Sequence, residues 1–160
     1  MIASEMFTEI EEARAFAQAI IDTVREPFLV LDSDLCVLAA SRSFYQTFKV
    51  NHDHTYGKPL YALGDGQWDI PKLRMLLEKI IPEHGLMEDY VVEHEFPGLG
   101  HRTMSLNARQ VSYQRGGAAT TILLGIEDIT HRRSLEREKD DLLRQKDTLL
   151  EELQQSVLST

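Results

Sequence analysis

The chain of 160 residues holds one cysteine and one tryptophan, and no apolar run approaches the roughly 18 residues needed to cross a bilayer. A single thiol, Cys36, cannot close an internal disulfide, and in its strand-like run it reads as buried and inert. The N-terminus, Met1 to Glu9, lacks the basic flank and continuous apolar stretch of a secretion signal. These absences point to a soluble, cytoplasmic protein. Excess positive charge is missing too. The net charge is −9, and nearly all of it falls before residue 132. An acidic globular part is a poor footprint for nucleic acid, whose binding rests on neutralising phosphates, and for an anionic membrane surface. The chain also lacks Gly-x-Ser-x-Gly, a phosphate loop, a cysteine pair and His-Glu-x-x-His. Gly64-Asp65-Gly66 lacks the third glycine of a nucleotide-binding turn. No catalytic residue is expected, and this chain is not read as an enzyme.

What is present suffices for one core and an extra helix, with 42% apolar residues. Residues 8–24 read as an amphipathic helix: Thr8 and Glu11 match a capping box, and Ile10, Ala13, Ala17, Ile20, Ile21 and Val24 recur at helical spacing. Glu26-Pro27 ends it, because the residue before proline is pushed out of helical geometry. Phe28–Leu31 and Cys36–Ala39 read as a hairpin around the turn Asp32-Ser33-Asp34. Arg42 to Lys49 forms a short helix, and 51–67 forms loops with brief helical turns. Asp69 and Pro71 mark a helix start, Leu73, Leu76, Leu77, Ile80 and Ile81 give its apolar face, and Pro82 and Gly85 end it. Alternation over Tyr90–Phe96 and Thr103–Arg109 predicts two more strands. Gln114–Gly117 is a turn, and Thr121–Ile126 is the last strand. The order predicts an α+β fold on a five-stranded antiparallel sheet. It divides into an N-terminal helix over 1–25, a sheet domain over 26–130 and a C-terminal helix over 131–160.

Three matches make the chain resemble the PAS domain, a bacterial sensory module, over roughly residues 24–133. The last strand runs into Glu127-Asp128-Ile129-Thr130 with Arg132 and Arg133 behind it, similar to the PAS exit signature. The hairpin Pro27 to Ala40, followed by Ser41-Arg42-Ser43-Phe44-Tyr45, is similar to the PAS opening, without the usual Asn at that helix start. The stretches Gly57–Leu73, His94–Gly100 and Leu106–Arg109 resemble a PAS subfamily of sensor histidine kinases and chemotaxis-type methyltransferase fusions. The resemblance implies helices on one face of the sheet and an outgoing signalling helix. It also implies a sensory and dimerising role, with a histidine kinase of a two-component system as output partner. By the same resemblance Asp128, Thr130, Arg132 and Arg133 form a hinge: the carboxylate pairs with Arg132 or Arg133 or caps the next helix, and Thr130 caps as well. A solvated turn is the plain alternative. The tail over Leu142–Leu153 is similar to the linker before a kinase phosphoacceptor helix, but no histidine follows it.

Leu135, Leu142 and Leu149 are seven apart, with Leu153 closing the series and lysines 139 and 146 between them. The spacing reads as the interface of a parallel homodimer, with Ile10, Ala17 and Val24 of the first helix as a second contact; a single exposed helix is the alternative. Asp140 with Arg144 and Arg137 with Asp141 are expected intrahelical pairs. Phe44, Phe48, Leu60, Trp68, Leu73 and Leu77 are expected to face the cleft between helices and sheet. Trp68 suits core packing or a pocket lid. His52-Asp53-His54 lacks a third ligand, so no metal is expected. The haem-binding PAS pattern has no match at His84, His94 or His101, and Asp65–Trp68 stands where flavin-binding relatives carry their cysteine helix. No cofactor is expected. The remaining readings are a constitutive dimerisation scaffold and a small-molecule or cofactor-binding sensor.

Overall fold

The computed structural model describes residues 2–113 and 119–158, with the backbone alone at 2–4, 6, 7, 10, 113 and 119. The turn expected at Gln114–Gly117 and the side chain of Ile10 therefore lie outside the described residues. Helix α1 (Ile2–Thr23) precedes strands β1 (Phe28–Leu31) and β2 (Val37–Ala40) and helix α2 (Arg42–Phe48). Two 3-10 turns, His52–His54 and Leu60–Gly66, lead to a helical run of α3 (Pro71–Met75), a π turn (Leu76–Ile80) and α4 (Ile81–His84). Strands β3 (Leu86–Phe96), β4 (Gly100–Tyr113) and β5 (Ala119–Asp128) follow, and α5 (Thr130–Leu158) leaves the domain.

The five strands pair antiparallel in the order β2-β1-β5-β4-β3. Side chains alternate across each strand, so Leu29, Leu31, Val92, Met104, Leu106, Ile122, Leu124 and Ile126 share one face. Phe44, Trp68, Leu73, Leu76, Leu77 and Ile81 join them in one buried cluster. Ser41 fastens the corner. Its Oγ accepts from the Phe44 amide at 3.2 Å, capping α2, and from the Phe28 amide at 3.0 Å, and it donates to the Glu26 carbonyl at 3.3 Å.

Several local expectations are corrected. α1 begins at Ile2, so Thr8 lies inside the helix and the capping box does not start it. The preceding Ala3, Glu5 and Met6 are strong helix formers and carry the helix further back. Asp69 is not a cap. Ile70 holds that position, and the Asp69 carboxylate accepts from the Arg74 guanidinium, which holds it below the usual carboxylate range. Pro82 does not end its helix. The π turn lets the Ile81 amide bond Leu76 five residues back, and Pro82 then falls in a first turn, where its missing N–H is not needed. Gly85 ends the run at φ 72°, its amide on the Ile81 carbonyl at 2.8 Å. β3 starts at Leu86 because a bulge between Met87 and Tyr90, with Asp89 at φ 54°, resets its alternation. Cys36 is half-buried and bridges to Pro59; burial chiefly, then Asp32 and Asp34, hold its thiol above the ordinary range.

Candidate functional site: the joint between sheet and exit helix

β5 delivers the chain to α5 through Asp128, Ile129 and Thr130, and β4 receives that joint at Arg102 and Thr103. Thr103 is buried, at 3% exposed. Its amide donates to Thr130 Oγ1 at 2.8 Å, and its carbonyl accepts from the Ile129 amide at 2.9 Å. Its hydroxyl donates to Glu93 Oε1 on β3 at 3.5 Å. Asp128 turns the corner: its Oδ1 accepts from the Thr130 amide at 3.0 Å and from the Thr130 hydroxyl. Asp128 Oδ2 faces Arg102 Nη1 at 3.3 Å, so its cationic partner is on β4, not Arg132 or Arg133. Arg132 pairs with Glu127 at 3.4 Å. Arg133 continues the helix, its amide on the Ile129 carbonyl at 2.9 Å. Thr130 does not cap α5 with its side chain; it spends that oxygen on β4.

One turn further, Arg137 Nη2 lies 3.6 Å from Glu93 Oε1, in place of the expected pair with Asp141. The described ion pairs include no Asp140–Arg144 contact either. The first turns of α5 are thus held by β3 and β4, through Glu93, Arg102 and Thr103. Sequence reasoning missed these three. Their signal is register: Glu93 faces Thr103 across β3 and β4, and Met104 faces Asp128 across β4 and β5.

Beyond that contact α5 is bare. None of its residues is buried, and Leu135, Leu142, Leu149 and Leu153 are all exposed, Leu142 to 65%. Leu143, Leu150 and Val157 are exposed beside them and widen the stripe, a feature visible in the doublets Leu142-Leu143 and Leu149-Leu150. On α1, Phe16 and Ile20 are exposed large apolar side chains and Ala17 is exposed with them; Val24, just past the end of the helix, is exposed too.

The six side chains expected at the cleft are buried together. Phe44, Phe48 and Trp68 form an aromatic group with Phe96, and the Trp68 ring lies 4.7 Å from Phe48 and 5.2 Å from Phe96. Leu60, Leu73 and Leu77 complete the cluster. Trp68 is 1% exposed, and among the described residues its Nε1–H and the Tyr61 hydroxyl are buried without a hydrogen-bond partner. The histidines are scattered. His52 stacks on Tyr56 at 5.4 Å, His94 meets Phe96 edge-on at 5.0 Å, and His84 ends α4. Among the described residues no group of three or more His, Cys, Asp or Glu could hold a metal ion, and no helix is long and apolar enough to cross a membrane.

No protein-family model matches the chain, and no curated protein matches it. Solved structures do. The PAS domain of BvgS from Bordetella pertussis is 22% identical with a TM-score of 0.56, over 84% of this chain and 98% of that one. The PAS domain of nitrogen regulation protein NR(II) from Vibrio parahaemolyticus is 16% identical with a TM-score of 0.53, over 71% and 97%. The histidine kinase ThkA, solved in complex with the response regulator TrrA, is 14% identical with a TM-score of 0.62; the match covers 80% of this chain and 36% of that one. What the chain shares with them is the five-stranded antiparallel sheet and its helices: it has the PAS fold, α+β, extended by the long helix α5.

Proposed function

We propose that this chain is a sensory and dimerising module that relays a signal through α5 to an output domain, a histidine kinase of a two-component system. The observation that carries the reading is the joint. Among the described residues α5 is anchored to the sheet by its first turns, through Thr130–Thr103 and Arg137–Glu93, while its apolar stripe is exposed. A polar helix of 29 residues with exposed leucines is marginal alone and gains by pairing with a second copy. A shift of β3 or β4 then changes the direction or register of α5, and the paired helices carry that change outward. PAS neighbours that are histidine kinases, or parts of them, support the kinase as output. This chain performs no chemistry in the proposal, and no metal or cofactor takes part.

Solution mass by light scattering tests the reading, on the full chain and on a chain ending at Thr130. A dimer that becomes monomeric on truncation supports relay through paired helices. A monomer in both removes the main support. A dimer in both favours a constitutive scaffold held by other surfaces, a reading that the closely packed side chains around Phe44 and Trp68 favour.

A further inference from the structure

Two of the three stretches that resemble a PAS subfamily, Gly57–Leu73 and His94–Gly100, lie outside the contacts of Asp128 and Thr130. The fold brings them together. The end of α2, the turn at 64–67 and the β3–β4 hairpin border an open pocket of about 440 Å³ beside the aromatic group. Its apolar wall includes Phe48, whose ring lies 4.7 Å from Trp68. Its rim carries Lys49 from one side and Asp65, Gln67, His94 and Glu95 from the others. None of the rim charges Lys49, Asp65 and Glu95 takes part in an ion pair among the described residues.

Lys49 stands at φ 54° as the left-handed residue that closes α2, its amide on the Tyr45 carbonyl, and Gly64, Asp65 and Gly66 turn the chain at φ 57°, 60° and 84°. The Gln67 side chain folds over Gly64 so closely that a Cβ there would meet its amide nitrogen at 2.1 Å.

We propose that this pocket is an input site for a free α-amino acid. Asp65 offers an acceptor for an ammonium group, Lys49 offers a cation for a carboxylate, and the Phe48 side offers an apolar wall for a side chain. One opposite charge on each side selects a zwitterion over a simple acid or a simple amine. The inference deepens the sensory reading above and rests on it for its consequence. Glu95 and His94 at the pocket are next in β3 to Glu93, which holds α5 through Arg137. A ligand that shifts this end of β3 therefore acts on the anchor of the exit helix.

Trp68, the only tryptophan, reports on the pocket directly, because it lies against Phe48. The experiment titrates the full chain with each of the twenty L-amino acids and records Trp68 emission, except for tryptophan, whose own emission masks it and whose binding is read by equilibrium dialysis. The same titration uses the N-acetyl form of any amino acid that acts, and is repeated on Asp65→Asn and Lys49→Gln. Both variants are near-isosteric, and circular dichroism checks their fold. The expected result is a saturable change with at least one amino acid, absent with its N-acetyl form and at least tenfold weaker in each variant. No saturable change with any of the twenty overturns the proposal, and so does a change that survives both variants. Emission at Trp68 is read without reference to α5, so failure here leaves the dimer reading standing, and a monomeric chain leaves the binding result standing.

Discussion

At the scale of single residues, Ser41 shows how one hydroxyl can hold three segments. It caps α2, accepts from β1 and donates to the end of the α1–β1 connection, all while buried. Ser41→Ala strands the Phe28 amide and leaves the Phe44 amide only its bond to the residue 41 carbonyl, and urea unfolding is expected to show a loss of about 1–3 kcal/mol. Tyr61 makes a different test. Its ring lies 4.1 Å from the Arg74 guanidinium. Burial, and then Glu78, push its phenol up to about 12 against the opposing pull of Arg74. A phenol whose pKa is raised in the folded state adds stability below its unfolded value of 10 and loses it as pH climbs toward 12. Ultraviolet titration is therefore expected to show a late tyrosine phase near pH 12, and stability should fall between pH 10 and 12. Tyr61→Phe should remove that late phase.

At the scale of elements, periodicity makes some parts legible and hides others. The leucine spacing of α5 and the alternation over Thr103–Arg109 of β4 run long enough to carry a pattern, so the amino-acid order alone displays both. The π turn is not readable, because Leu73, Leu76, Leu77 and Ile81 fit an ordinary helix equally well, and Pro82 then looks like a stop. The bulge at Asp89 hides the first half of β3 for the same reason: it breaks the period of two on which the reading depends. Gly85 is legible as a terminator because φ 72° suits glycine. A Cβ there meets nothing within 4 Å, so Gly85→Ala should cost about 1 kcal/mol through backbone strain alone, with no change in packing. For α5, Thr130→Val leaves the Thr103 amide without its acceptor. Hydrogen exchange is expected to quicken in the first turns of α5 and at Thr103, with the amides of β1 unchanged.

At the scale of the whole molecule, the order of the elements is legible and the joint only half so. Asp128 and Thr130 stand out in the chain, but their partners Arg102 and Thr103 lie far back in the sequence and become partners only through strand register. Two exposed leucines test the assembled state. Leu142→Asn with Leu149→Asn is expected to halve the solution mass if the α5 stripes pair, with the sheet domain still folded by circular dichroism. Chain entrance and exit also share one end of the sheet, where Phe28 pairs with Gly125 and the Ile126 amide donates to the Pro27 carbonyl at 2.8 Å. Ladder bonds between antiparallel strands run across the strand direction. Tension applied between α1 and α5 would therefore load the β1–β5 ladder from that end, one bond after another, like a zipper drawn open. The domain is mechanically soft along the line on which its two helices pull, and stiffer to a force that would shear those strands past each other.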